Sequence, residues 1–569
     1  MFATKDEWKA LQGLASSEEV ERTATDLVKW HRHSGTAGEY QAVAYLKNRL
    51  DELGIPTVVH SFEALISNPL QASLTVHAGD RRTVEVVTHP FSASAPAGVT
   101  GAVVYAGKDA DASKADVAGK IAIIDGAGTP FSVNQWLSRG AIGILCHSRA
   151  RVVQEYIISG VWGTPDPDSA KTLPTIPVAS IDSETGDLLR RLLDESEEEV
   201  LVTLRTRLDT GVKSLEFPVA EIRGSEETDE FVLLAGHLDS WYEGAQDNAA
   251  GDAALLEVAR VLQQNRSKLG RNVRIAWWVG HSQGRFSAST WYADNFYADL
   301  SRNCVGYLNL DQPGHKDATW LKTFSTPDAA RFLAAMVKEL SGQEVKPPRP
   351  PRNADQSFWG VGLPSFSFLP RLNDESPDEA PDEIGARKPW YQHTRFDTID
   401  KLDFPLLAQQ SGYVAVTMLE LSIRRLLPWD HADTANAFRK RLNELAQESG
   451  DAIDLSPCLA AAQRLQEVGC RVRELPHDTP LSDSLNGAIL RASQSLLNVY
   501  FTVRGRYHHD PAVTFPLLPG LRDVKRLAAT KAGSEERLFL RTYLIRERNR
   551  VTDALLTAAE ELESALPPS

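Results

Sequence analysis

From residue 205 to residue 425 the chain alternates strand-like and helix-like segments, and this alternation restricts the fold more than any other feature. FVLLAGH (231–237), NVRIAWWVG (272–280), CVGYLNLD (304–311) and LPSFSFL (363–369) are short apolar runs of the kind that form interior strands. Between them, DNAAGDAALLEVARVLQQ (247–264) and PDAARFLAAMVKEL (327–340) carry apolar residues at helical spacing. Such repetition implies an α/β fold with a mainly parallel central sheet flanked by helices. Sheets of this type bind ligands at the carboxyl ends of their strands. His237 and Asp311 fall at two of those ends.

The flanks read differently. Residues 17–54 are expected to be helical, with apolar positions at Tyr40, Val43, Leu46 and Leu50 and a stop at Gly54. From about 70 to 125 short β-rich runs follow: ASLTVHAG, RTVEVVTH, AVVYAG and KIAIIDG. Residues 347–351 and 373–389 read as irregular loops, and the chain beyond about 430 as mostly helical. A chain of 569 residues exceeds one hydrophobic core, so two to four domains are expected.

A net charge of −15 argues against nucleic acid and against an anionic membrane surface as partners. The N-terminus does not read as a signal peptide, and no apolar run approaches the roughly 20 residues of a membrane span. Cys146, Cys304, Cys458 and Cys470 make neither a disulfide framework nor a zinc knuckle. These features lead us to expect a cytoplasmic protein with reduced thiols.

Taken singly, the polar residues near the strand ends have ordinary explanations. His237 and Asp239 form an H-x-D step, and in a strand residues i and i+2 share a face, so the carboxylate is placed to orient the imidazole. Asp247 opens D-N-A-A-G, where an acid also serves as a helix cap. Asp311 follows the strand YLNL, and His393 lies in YQHTRFDTID, where a loop histidine is usually solvated. Imidazoles and carboxylates on rigid elements are what a metal hydrolase needs. The conjunction carries the signal: GHLDSWYEGAQDNAAG, a strand ending WWVG, NLDQPG, ADQSFWGVGLPS and HTRFDTIDKLD, in that order.

This ordered set resembles the zinc aminopeptidase family that also contains glutamate carboxypeptidase, carboxypeptidase Q and the transferrin receptor. The resemblance implies that His237 and Asp311 bind one metal, that His393 binds a second, and that Asp247 bridges them. It implies zinc, as one or two divalent ions, with Asp239 orienting His237. Asp355, in ADQSF, matches the family's S-D-x-x-F segment near the substrate pocket.

One segment departs from the family. Where such peptidases carry two adjacent glutamates, this chain reads WWVGHSQGRF, which puts His281 on the general-base position and Ser282 on a metal-binding one. Three readings stay open. His281 serves as the general base, since imidazole titrates near neutrality, and the second metal is weak or absent. Alternatively the loop shifts and His281 becomes a ligand, or hydrolysis is lost and the pocket only binds. Glu243 is a candidate for the missing carboxylate, against a solvated loop acid. Tyr391 is a candidate oxyanion donor, although Gln392 occupies the adjacent position. Arg285 stands where the family has an apolar residue; it either meets an anionic substrate group or forms a surface salt bridge.

Residues 76–204 resemble a protease-associated domain, through VAGKIAIIDGAGTPFSVNQWLSRGAIGIL and LPTIPVASIDSETGDLLRRLL. Residues 431–569 resemble the helical dimerisation domain of the transferrin receptor and glutamate carboxypeptidase, through LNGAILRASQSLLNVYFTVRGRYHHDPAVTFPLLPG. The catalytic domain would then comprise 1–75 and 205–430, and a homodimer is implied. His508 and His509 read as surface or interface residues rather than a metal pair. The resulting expectation is a metal-dependent hydrolase of an amide or peptide bond in a small peptide or amino-acid conjugate, with His281 and Asp239 in catalytic roles. The rival is an inactive peptidase fold acting as a binding or scaffold dimer.

Overall fold

The computed structural model describes residues 4–78, 81–108, 114–149, 152–379, 387–475 and 483–567. Residues 380–386 of the expected 373–389 loop lie outside this set. Thirteen strands are found among the described residues: β1 (Thr57–Val76), β2 (Arg82–Glu85), β3 (Val87–Thr88), β4 (Ala95–Gly107), β5 (Ile121–Asp125), β6 (Gly143–His147), β7 (Val178–Ile181), β8 (Leu201–Ile222), β9 (Phe231–His237), β10 (Asn272–Trp278), β11 (Cys304–Leu310), β12 (Trp320–Ser325) and β13 (Ser365–Arg371).

The central sheet runs in the order β12-β13-β11-β9-β10-β8. Its middle four strands, β13, β11, β9 and β10, are parallel, and β12 and β8 join antiparallel at the two sides. Every residue of β9 and β11 is buried, as the unbroken apolar sequence of these strands requires. From β9 the chain crosses through helix Ala250–Gln264 to β10, then returns past β9 to β11 on its other side. That reversal opens a crevice at the carboxyl ends of β9 and β11.

β1 and β8 are much longer than the other strands. They pair antiparallel from Thr57 opposite Ala220 to Val76 opposite Val202, carrying the chain out of the central sheet. Beyond them, β4, β5, β6 and β7 form a parallel layer with two apolar cores drawn from residues 72–204. The terminal helices behave otherwise. Helices His431–Ser449, Ser456–Arg473 and Glu535–Ala565 share one continuous core with the central sheet, joined through residues such as Trp429, Phe438 and Leu555.

Three local expectations need correction. The helical stretch 17–54 is two helices, Ser17–Leu27 and Ala37–Glu52. Arg32 lies in the break, fully buried, and donates to the carbonyls of Leu27, Trp30, Leu238, Glu243 and Gly244. Gly35, at a φ of 70°, and Thr36, at the N-cap position of the second helix, interrupt the helix locally, and five main-chain acceptors fix the Arg32 guanidinium in the break. Sheet structure begins at Thr57 rather than near 70, because TVVHSFEALI pairs with β8. The helix expected from Asp247 starts at Ala250. Asp247 and Asn248 have non-helical backbones, and no side-chain cap bond forms there. No described helix is long and apolar enough to cross a membrane.

Candidate metal centre

His237 ends β9, and Asp311 directly follows β11. Asp247 is brought between them by the segment leading into helix Ala250–Gln264. His237 Nε2 stands 2.9 Å from Asp247 Oδ1 and 3.6 Å from Asp311 Oδ1. One ligand atom from each of these three residues lies within 4.8 Å of the others. Asp311 Oδ1 is buried and has no hydrogen-bond partner, an unsatisfied anionic acceptor of the kind a cation completes. Burial opposes a charged imidazole, but Asp247 and Asp311 more than offset it, and His237 is raised well above its ordinary value. Asp247 is held well below the usual carboxylate range, its burial outweighed by His237 and His393. Two carboxylates and an imidazole converging at a buried point fit a divalent cation.

The elements that fix these residues come from far apart in sequence. The main-chain N–H groups of Gln246 and Asp247 donate to Asp397 at 2.7 and 3.0 Å. Asn248 donates to His237 O and accepts from Gln312 N–H. These bonds hold Asp247 and Asn248 in their non-helical backbone conformation, and regular helix begins only at Ala250. Burial pushes the Asp397 carboxyl up to about 7 against those N–H donors. His393 Nε2 lies 2.9 Å from Asp247 Oδ2, and its Nδ1 lies 2.8 Å from Glu155 O, in the segment between β6 and β7. Asp247 thus presents one oxygen to each histidine.

Asp239 does not sit as expected. His237 Nδ1 meets the main-chain oxygen of Asp239 at 3.0 Å, not its carboxylate. The carboxylate instead accepts from the N–H groups of His281 and Ser282 at 2.8 and 2.9 Å. Asp239 therefore ties the loop after β10 to the loop after β9. Asp397 and Gln312 were given no role by sequence reasoning, although each lies in a motif singled out for another residue.

The histidine of the departing segment is held as firmly as the cluster. His281 Nδ1 is 2.8 Å from Asp355 Oδ2, and Ser289 Oγ donates to the other Asp355 oxygen at 2.7 Å. The imidazole stacks on that of His237, with centroids 4.0 Å apart and planes 14° from parallel. Asp355 is 1% exposed, so its carboxylate serves the histidine and not solvent. Ser282 is buried and stays outside the cavity lining. Tyr391 is fully buried and outside it as well, whereas Gln392 lines the cavity and donates to Asp247 Oδ2 at 2.9 Å. Glu243 is not among the residues converging on the cluster. His509 pairs with Asp294 at 2.9 Å, away from the cluster.

A cavity of about 480 Å³ opens onto His237, Asp247, His281, Asp311 and His393. One wall is cationic, formed by Lys322, Arg371 and Lys388. Arg371 Nη1 donates to Gln312 Oε1 at 2.8 Å, and Gln312 Nε2 donates to Asp247 Oδ2 at 2.7 Å. Among the described residues no carboxylate forms an ion pair with Lys322 or Lys388. Burial and the neighbouring cations Arg371 and Lys322 bring Lys388 down to about 8, although Asp247 and Asp311 oppose this. Tyr242, Arg285, Phe286, Gln312 and His393 all adopt left-handed φ values, between 54° and 70°. Such conformations cost about 1–3 kcal/mol each and concentrate at sites whose surroundings over-determine them.

Residues 219–418 match the family model for Peptidase family M28. The chain carries a peptidase family M28 domain. The matched span covers His237, Asp247, His281, Asp311, Asp355 and His393, and the domain is that of a metallopeptidase-like hydrolase. The probable glutamate carboxypeptidase VP8 of Zea mays is 23% identical over 602 residues, covering 89% of this chain and 84% of that protein. Two solved structures are similar in fold. A peptidase M28 precursor from Shewanella amazonensis SB2B is 21% identical, with a TM-score of 0.57 over 74% of this chain and 96% of that one. BSAP, a zinc aminopeptidase from Bacillus subtilis, is 20% identical, with a TM-score of 0.55 over 73% of this chain and 98% of that one.

Proposed function

We propose that the protein hydrolyses an amide or peptide bond in a small, acidic peptide or amino-acid conjugate, with a divalent metal and an Asp355–His281 pair. One observation carries the reading: the cluster of His237, Asp247 and Asp311 and the oriented imidazole of His281 open onto the same cavity. The three ligands suit zinc, with His393 beside the oxygen of Asp247 that faces away from His237. A bound divalent ion supplies Lewis-acid polarisation to the carbonyl.

The chain's own groups do the rest. His281 takes the proton of the attacking water at Nε2, while Asp355 holds the Nδ1 side and keeps the ring in place. Oxygen–carbon bond formation and carbon–nitrogen cleavage follow, and His281 returns the proton to the leaving nitrogen. Asp239 positions His281 through its main-chain N–H. The acidic character of the substrate is supported by the wall of Lys322, Arg371 and Lys388, cations without carboxylate partners among the described residues.

In this reading, residues 1–75 and 205–430 form the catalytic domain, 76–204 a protease-associated domain and 431–569 a dimerisation domain. A homodimer is supported by Leu538, Phe539 and Tyr543, exposed on helix Glu535–Ala565 at 62%, 66% and 37%. Four cysteines without disulfides fit a cytoplasmic, reducing setting. The test is turnover of a panel of dipeptides and N-acyl amino acids. Cleavage of acidic members, abolished by a chelator and restored by zinc, is expected. A protein that binds no metal and cleaves none of them would be a scaffold.

A further inference from the structure

The cavity has a second cationic position, on the opposite side of the metal ligands from Lys322 and Arg371. Those two residues lie on β12 and β13, whereas Arg285 lies in the loop after β10. In the sheet order β12-β13-β11-β9-β10, the strands that carry Asp311 and His237 stand between them. Arg285 is only 6% exposed, yet it lines the cavity. Its Nη2 donates to Ala512 O at 3.2 Å. Its Nε is buried without a partner, and no described carboxylate pairs with the guanidinium. Burial alone lowers it to about 9. The side chain lies over the Phe286 ring at 4.7 Å, and Phe286 packs edge-on against His281 at 4.9 Å.

A buried guanidinium with unused donors is costly to keep unless something anionic meets it. Its planar fork matches a carboxylate better than any other common group. Its place follows from the chemistry of the neighbouring histidine. His281 must return its proton to the leaving nitrogen, so the amine half of the substrate lies on the His281 side of the cavity. Arg285 is four residues further along that same loop.

We propose that Arg285 is a specificity residue that binds a carboxylate on the amine half of the substrate, so that the protein releases an amino acid with a free carboxylate. This rests on the hydrolase reading above and sharpens it, because it selects the carboxyl-terminal side of the scissile bond. Arg285 does not touch the reacting atoms and takes no proton.

The experiment compares matched N-acyl amino acids and dipeptides as free acids and as C-terminal amides, with the full-length metal-loaded protein. The wild type is expected to favour the acids at least about 100-fold in kcat/KM. Arg285→Met should raise KM for the acids about 100-fold and leave the amides unchanged, and Arg285→Lys should fall between. Equal losses on acids and amides in Arg285→Met, or no preference in the wild type, overturns the assignment. Thermal melting of both variants checks the Ala512 contact, and Arg285→Lys keeps the test alive if the methionine variant does not fold. Calorimetric titration with free glutamate separates this idea from the hydrolase reading. Binding to the wild type that Arg285→Met loses supports the site even if no substrate is turned over. Equal binding to both proteins overturns it.

Discussion

The loops after β9 and β11 and the loop after β10 face one cavity but are built on different plans. The first pair carries charge: His237, Asp247 and Asp311 converge within 4.8 Å and leave an anionic oxygen unsatisfied. The second carries an imidazole that already has its partner, His281 on Asp355, and a serine withdrawn from the cavity. The first half fits a cation, and in the proposed mechanism the second moves a proton. The difference teaches that a segment without paired acidic residues can still place a carboxylate against its polar side chain. Asp355, 74 residues away, provides the orienting carboxylate from another segment. Asp239 joins the two halves, with its main-chain oxygen on His237 and its carboxylate on the His281 loop.

The contrast can be broken most severely on the metal side. His237→Ala should remove the ion and lower turnover by at least about 10⁴-fold, measured by elemental analysis and steady-state rates. If metal remained at the wild-type level, the cluster would not be the binding site. On the proton side, Asp355→Asn should lower kcat by about 100-fold and leave metal content intact. A loss of metal in that variant would mean that the halves are not separate.

The smallest effect sharpens the picture of the cationic wall. Lys388 is charged below its value of about 8, and its charge is lost as pH rises through it. Anion binding favours the charged form, so KM for acidic substrates should rise about fivefold between pH 7 and 9. Lys388→Met should flatten that rise. A profile that keeps its slope in the variant would assign the pH effect to another group.

Much of this architecture could be read in one dimension. Interior strands such as FVLLAGH and CVGYLNL are unbroken apolar runs, and the polar residues that end them fall at the crevice for that reason. Other features depended on contacts that no local pattern encodes. In the helix break, which Gly35 and Thr36 mark locally, the Arg32 guanidinium reaches carbonyls more than 200 residues away. Asp247 looked like a helix cap, but its main chain is held by Asp397, 150 residues on. Gln312 follows Asp311 in sequence, yet its use depends on Arg371 fixing its amide. The surface-salt-bridge alternative for Arg285 failed because the fold buries that loop against Ala512. Residue types and order point to the proposed chemistry, and long-range packing decides which atom of each residue meets its partner.

The most direct test is His281→Ala, with metal content and turnover measured on the same preparation. The account predicts that the variant keeps the wild-type metal content and loses between about 10² and 10⁴ in kcat. Turnover that survives the substitution, or metal that leaves with the imidazole, would contradict it.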